Sequence, residues 1–463
     1  MDSTVISELR QGIGDDRVLD DPSTLDRYSH DWWPLSTLER QLDVHTHRPD
    51  AVVLARSVHD VRAALDVARR HSTPLVARGL GSSVTGQPLP ARGGIVLDLG
   101  GLVGEPVLDE VNLTVTVPAG VRGSDLESWL SNRGLTHNFT PQSLARSSVG
   151  GWLATRATGQ LSSKYGGIEV AAVGARIVLE DGTEVCVGQR PRAAVGPDLL
   201  QVFLGSEGMF GVIVEVTLRV YRKPVVILSE AWSLPDLNSG LASLRTIYQS
   251  GIRPSLMRLY DEAEARHAVP GMEPDGPVLF LSHDGLPGLA RAEHTASSQI
   301  LGSNGGRSLG AAPVDAWYGR RYDFSTVEQL LNEEGGYAET IEVAHLWSGL
   351  PGLYDELITA LAPLADEVLG HFSHVYTNGA SLYVILLGRA SSNGEARDRL
   401  AEIWTQAMEA TTRVGGELSH HHGAGLARQR YIPESLGTQH EVLRRLQEAL
   451  DPAHVLNPGH LGL

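Results

Sequence analysis

One cysteine, Cys186, stands in 463 residues, so no disulfide can form within the chain and a reducing compartment is the natural expectation. It falls in a strand-like run, where a small buried hydrophobe is the plain reading. No stretch reaches the roughly 18 apolar residues of a membrane span. Met1 to Arg17 alternates charge with apolar residues and lacks the apolar core of a signal peptide. These absences point to a cytoplasmic protein with no stable membrane span. Basic residues are also scarce, 38 against 55 acidic, and the net charge of -17 opposes nucleic acid and anionic lipid, which are drawn to clustered Lys and Arg. Nucleic acid is set aside as a partner. There is no repeat of fixed period, and no G-x-G-x-x-G opens a helix, which lowers the Rossmann reading.

What is present is the composition of a folded chain, 42% hydrophobic and 20% charged, long enough for two large domains. Ser57 to His71 places Val58, Val61, Leu65 and Ala68 on one helical face, with Ser57 as N-cap and Asp60 completing a capping box. A short strand, Pro74 to Arg78, then enters the glycine-rich turn Gly79 to Gly86. Asp181-Gly182 between Arg176 to Glu180 and Thr183 to Val187 predicts a two-residue hairpin. After Tyr221 to Pro224 longer helical stretches begin, which marks a domain boundary. Leu353 to Leu361 and Glu395 to Thr412 have helical spacing, while Ala380 to Leu387 and Gly416 to His420 read as strands. Helices on one side of an antiparallel sheet are expected.

Two segments of small residues can offer consecutive N–H groups as a nest for phosphate: Arg78 to Gln87, and Pro141 to Gly151 with Ser143, Ser147, Gly150 and Gly151. In the second half Ser419-His420-His421-His422-Gly423 is the most unusual run. On a strand His420 and His422 would share a face, and a metal would need a carboxylate from elsewhere. No second ligand motif is visible, so no metal is expected. Proton transfer, anion contact, or a merely packed histidine run remain.

Taken in order, Arg48-Pro-Asp-Ala-Val-Val53, Ala77-Arg-Gly-Leu-Gly-Ser-Ser-Val-Thr-Gly86 and Gly205-Ser-Glu-Gly-Met-Phe-Gly-Val-Ile213 resemble the FAD-binding domain of the vanillyl-alcohol-oxidase and para-cresol-methylhydroxylase superfamily. The second half resembles the alkyldihydroxyacetonephosphate synthases and their bacterial homologues, through Tyr28-Ser-His-Asp-Trp-Trp-Pro34, Met257-Arg-Leu259, Glu339-Thr340, Ser373-His-Val-Tyr-Thr-Asn-Gly-Ala-Ser-Leu-Tyr383 and His420-His-His-Gly-Ala-Gly425. The resemblance implies an α+β chain: an N-terminal segment (1–47), a two-subdomain PCMH-type FAD-binding domain (48–222), a substrate or cap domain with an antiparallel sheet covered by helices (223–420), and a segment packing back on the FAD domain (421–463).

It also implies FAD held by Arg78, Gly79, Leu80, Gly81, Ser82, Ser83 and Gly86. A second group, Pro141, Ser143, Ser147, Gly150 and Gly151, joins them, with Glu207, Gly211, Val212 and Ile213 as a third. Ser82 stands where many relatives carry the histidine that bonds flavin, so noncovalent FAD is expected. Acid/base roles fall on His420, His421, His422 and Tyr376, with Tyr383 and Arg258 at the substrate. Trp32 and Trp33 read as packing aromatics, and Arg258 has as its plain alternative an ion pair with Asp261 or Glu262. The function implied is oxidation of a small hydroxy acid, alcohol or related substrate by hydride transfer to flavin N5. A redox-neutral alkyldihydroxyacetonephosphate synthase is the alternative, and a noncatalytic flavin-binding protein comes last. A homodimer is left open.

Overall fold

A computed structural model describes residues 1–188, 191–268 and 274–463. Three sheets carry the α+β architecture. The first pairs Ala51–Leu54, Ile95–Asp98 and Leu75–Arg78 in parallel, with Val18–Leu19 antiparallel at one edge. A parallel pair needs a crossover, and the helix Val58–Arg70 supplies it. Its capping box forms as the sequence predicts, Asp60 N–H donating to the Ser57 hydroxyl and Ser57 N–H to the Asp60 carboxylate. Val61, Ala64, Leu65 and Ala68 bury its apolar face against this sheet.

The second sheet is antiparallel, in the order Val107–Asp109, Thr114–Pro118, Val212–Arg219, Ala172–Val178, Glu184–Gly188. The hairpin at Asp181-Gly182 is its last pair, but its loop holds three residues rather than two: Leu179 N–H donates to Thr183 O and Gly182 N–H to Leu179 O, with Gly182 at positive φ (+83°). Cys186 lies on this hairpin but is exposed, contrary to the buried reading, because its strand is the edge of the sheet.

The third sheet has seven antiparallel strands: Arg307–Gly310, Val226–Ser233, Val278–Gly285, Leu256–Tyr260, Glu367–Ser373, Gly379–Arg389 and Gly336–Leu346. Side chains alternate between its faces. Ile341, Val343, Leu382, Val384, Leu386 and Leu259 point to one face, where the helices Leu350–Leu361 and Asn393–Arg413 bury Leu353, Leu357, Leu361, Leu400 and Ile403 against them. Each such leucine contributes about 1.5–3 kcal/mol by leaving water. The other face is polar along one row: the register sets Glu342 opposite Tyr383, Tyr383 opposite His371, and His371 opposite Tyr260. That row is the floor of the site described next.

Gly416 to His420 is not a strand. Glu417 makes a single bridge to Ala344, and the chain then bends. Residues 455–460 return to the first sheet, where Leu75 N–H donates to Val455 O and Asn457 N–H donates to Leu75 O. Trp33 is buried edge-on against Trp404, as expected for packing, but Trp32 is 45% exposed, its ring covered by the Arg146 guanidinium.

Candidate active site

The bend at the histidine run exists because a buried carboxylate organises it. Backbone N–H groups of His420, His421 and His422 all donate to Glu342, the second at 2.6 Å, and the Ser419 hydroxyl adds a fourth bond. Arg428, fully buried, places Nη2 3.3 Å from the same carboxylate and donates through Nε and Nη1 to Leu418 O and Gly423 O. Burial opposes the charge on Glu342, but His421 and His422, then Arg428, outweigh it and hold its carboxyl well below the usual range.

The imidazoles so aimed join a chain of hydrogen bonds. Tyr383 OH lies 2.5 Å from His421 Nε2, His421 Nδ1 lies 2.8 Å from His420 Nδ1, and His420 Nε2 lies 2.8 Å from Tyr376 OH. His421 Nδ1 is also 3.1 Å from Glu342 Oε1. An ionised Glu342 asks for hydrogen on His421 Nδ1, which leaves Nε2 to accept from Tyr383 and His420 Nδ1 to accept from His421; His420 Nε2–H then faces the Tyr376 oxygen. His374 stacks on His420 at 5.1 Å, and its Nδ1 lies 2.7 Å from the Ser162 hydroxyl.

Burial, then His421, lowers His420 to about 3, and burial lowers His422 to about 3 against the pull of Glu342. Burial raises both Tyr376 and Tyr383. His422 gives a pH test. Below about 6.5 the unfolded imidazole takes a proton that the folded one refuses, so stability is full above that pH and falls as pH drops toward about 3, by up to about 1.4 kcal/mol per pH unit. His422→Gln cannot titrate and is expected to lose less stability than the wild type between pH 7 and pH 5, measured by urea midpoints. Equal losses would mean that His422 is protonated in the folded protein.

Arg258 forms no ion pair with Asp261 or Glu262. Its Nε donates to Tyr260 OH at 2.9 Å and its Nη2 meets His371 Nε2 at 2.8 Å, while His371 Nδ1 lies 2.7 Å from Glu264. Glu342, His371 and Glu264 had not been marked in the sequence, since each sits alone in an ordinary strand or helix, and His374, in the bend after Glu367–Ser373, had been quoted in a motif without a role.

The two glycine-rich segments meet. A Cβ on Gly79 would fall 2.3 Å from Ser148 Oγ and push that hydroxyl off its cap of the helix Val149–Ala154. Among the described residues, the backbone N–H groups from Leu80 to Val84 donate to no protein acceptor, and Gly81 is at positive φ (+68°), which suits a phosphate nest. These residues fit an FAD pyrophosphate. Several other marked residues spend their polar groups on the protein. Gly86 N–H donates to Asp31, Ser83 Oγ accepts from Thr85 and Gln87, and Arg78 donates to His30 O. Ser147 Oγ accepts from Trp152 Nε1 and lies within bonding distance of Ser143, and Gly150 N–H donates to Ala119 O. Gly151 N–H donates to Ser148 Oγ, while Pro141 O accepts from Leu144 N–H. Glu207 accepts from Gln87, Ala424 and Gly425, which ties the first glycine loop to the histidine run instead of leaving the carboxylate to a cofactor. Gly211 packs on Ile177, and Val212 and Ile213 are buried strand residues.

Glu342, His420 and His421 lie close enough to hold a metal ion. The carboxylate, however, already accepts from three N–H groups, a hydroxyl and a guanidinium, whose hydrogens occupy its lone pairs.

A family model described as FAD linked oxidases, C-terminal domain, matches residues 223–461, just over half of the chain, and one described as FAD binding domain matches 49–188. The uncharacterized FAD-linked oxidoreductase YgcU of Escherichia coli O157:H7 is 28% identical over 478 aligned positions, covering 99% of this chain and 98% of the relative. A probable mitochondrial D-lactate dehydrogenase of Danio rerio is 26% identical, covering 98% and 91%. A solved alkyldihydroxyacetonephosphate synthase superposes with a TM-score of 0.82 at 23% identity, covering 99% of this chain and 86% of its own, a likeness of fold. Among the described residues no helix is long and apolar enough to cross a membrane.

Proposed function

The chain belongs to the FAD-linked oxidases, and from that premise we propose that it is a dehydrogenase or oxidase of a small hydroxy acid, alcohol or related substrate. FAD, when bound, supplies the hydride acceptor. The observation that carries the reading is the Tyr383–His421–Glu342 series, a hydroxyl, an imidazole and a buried carboxylate in hydrogen-bond order. The carboxylate orients the imidazole, the arrangement that positions a histidine as a general base. The substrate hydroxyl gives its proton to Tyr383, which donates to His421 Nε2, as hydride leaves the carbon. The phenol passes its own proton inward, and it comes to rest on His421 beside Glu342. His420, lowered to about 3, stays neutral and offers its Nε2–H to Tyr376. Arg258, backed by His371 and Glu264, forms a cationic wall beside Tyr383. The segment 48–222 holds the cofactor, 223–420 holds the substrate, and 421–463 packs back on the FAD domain.

The D-lactate dehydrogenase relative supports the hydroxy-acid class. Mixing the anaerobic holoprotein with a panel of hydroxy acids, alcohols and acyl-dihydroxyacetonephosphate tests it. Flavin bleaching by a hydroxy acid or alcohol is expected. An adduct spectrum with only acyl-dihydroxyacetonephosphate would overturn the reading in favour of redox-neutral synthesis.

Ser82 offers a hydroxyl where a histidyl link would need imidazole, so FAD is bound noncovalently. Acid precipitation should release all the yellow colour into the supernatant; colour staying with the pellet would place a covalent link on another residue.

A further inference from the structure

Two imidazoles meet the Tyr383 hydroxyl, and only one can receive its proton. His421 Nε2 lies at 2.5 Å and His374 Nε2 at 3.3 Å. The phenol has a single hydrogen, and the shorter contact takes it, because the Glu342 carboxylate beside His421 Nδ1 leaves His421 Nε2 bare. The longer contact is then a hydrogen bond only when His374 Nε2 carries the hydrogen and the phenol oxygen accepts it. His374 is buried, and burial first, then His421 and His420, hold its imidazole well below the usual range, so the ring is neutral and has one N–H. With that hydrogen on Nε2, Nδ1 is an acceptor, and the Ser162 hydroxyl stands 2.7 Å from it. The bonds therefore run in one direction, from Ser162 to His374 to Tyr383 to His421.

The backbone keeps His374 in this place at a cost. Its φ is +51°, in the left-handed region that residues other than glycine enter rarely and often at functional sites. The short helix Ser162–Tyr165 clamps the bend that carries it. Ser163 Oγ accepts from Val375 N–H, while Lys164 Nζ and Tyr165 OH donate to the Asp284 carboxylate of the strand Val278–Gly285. Ser162 belongs to the stretch matched by the FAD binding domain and His374 to that matched by the C-terminal domain, so the bond between them joins the two halves of the chain.

The phenol oxygen needs a donor. Burial first, then the Glu342 charge, opposes a negative charge on Tyr383, and Arg258 favours it. We propose that His374 is a positioning residue for the proton transfer: its Nε2–H holds the Tyr383 oxygen and stabilises the negative charge that develops there, with the Ser162 hydroxyl fixing the tautomer. This rests on the oxidoreductase reading above and deepens it. As the O–H bond of Tyr383 breaks and the N–H bond on His421 Nε2 forms, His374 keeps its own hydrogen, and the proton of the substrate hydroxyl restores the phenol. A donor already aimed at the oxygen lowers the barrier without having to reorganise.

Nitrogen NMR of the FAD-loaded full chain, with its histidines isotopically labelled, reads the tautomer without any substrate. The His374 signals, identified by their disappearance in His374→Gln, should show hydrogen on Nε2 and none on Nδ1; hydrogen on Nδ1 would overturn the proposal. The rate is read with D-lactate, or with whichever hydroxy acid or alcohol bleaches the wild-type flavin. His374→Phe should lower the limiting rate of anaerobic flavin reduction about tenfold or more, the scale of a lost hydrogen bond to a charged oxygen. The solvent deuterium effect on that rate should grow, while the substrate dissociation constant holds. His374→Gln keeps a donor and should retain most of the rate. Ser162→Ala leaves the ring in place, should fall between the wild type and His374→Phe, and decides alone if His374→Phe does not fold. An unchanged limiting rate in Ser162→Ala or His374→Phe, or equal losses in His374→Gln and His374→Phe, would overturn the proposal. The oxidoreductase reading fails separately, when no hydroxy acid or alcohol bleaches the wild-type flavin.

Discussion

His421→Ala should lower the rate of anaerobic flavin reduction by about a hundredfold or more, the scale of a lost general base, while the protein keeps its fold and its FAD. The expectation centres on His421, whose imidazole lies 2.5 Å from Tyr383 OH and 3.1 Å from Glu342, whereas the His420 ring stands 4.0 Å from that carboxylate. His422, whose Nδ1 has no hydrogen-bond partner, should cost less. Tyr383→Phe removes the first carrier and should fall between the two. EDTA should leave all four proteins as they were. One equivalent of tightly bound metal in the wild type, lost in His421→Ala, would overturn the proton reading and make the Glu342, His420 and His421 cluster a metal centre. Rapid-mixing reduction traces and elemental analysis on the same preparations decide between them.

Glu342→Ala should destabilise the fold by about 3–5 kcal/mol, since it removes the carboxylate in contact with the wholly buried Arg428. It also removes the acceptor of three consecutive backbone N–H groups. Urea unfolding followed by flavin fluorescence and far-UV dichroism measures it, and a change below about 1 kcal/mol would show that the carboxylate does not hold the run. Arg428→Ala should cost a comparable amount. The double variant should cost less than the sum, because two partners of one pair are not independent.

Local signals in the sequence were reliable where local physics decides. The Ser57 and Asp60 capping box and the leucine stripe of Leu353 to Leu361 appear as read, and the hairpin at Asp181-Gly182 forms with one more residue in its loop than expected, because caps, tight turns and a 3.6-residue period act over a few residues. The histidine run was legible as unusual, and Tyr376 and Tyr383 as its companions. The shape of the run was not legible. Gly416 to His420 has strand-like spacing, yet the chain bends there because Glu342, 78 residues earlier, collects its N–H groups. A lone glutamate inside a strand carries no local mark of that role. The same holds for His371, which faces Tyr383 only through sheet register. Glu207 illustrates the reverse case: its loop was recognisable, but whether the carboxylate faces cofactor or protein depends on Ala424 and Gly425, far along the chain.

The return of residues 455–460 to the first glycine loop has a consequence for the order of assembly. Asn457 donates to Gln87 O and Glu207 O, and His460 meets Gly86 O, across separations of up to 374 residues. Contacts this distant in sequence close late, after most of the loop entropy has been spent. During synthesis the glycine loop therefore emerges early and waits, without these partners, until nearly four hundred further residues have left the ribosome. Cofactor capture is thus a late event in the life of the chain, and a nascent or truncated polypeptide carrying the whole first half is still poorly equipped to retain flavin.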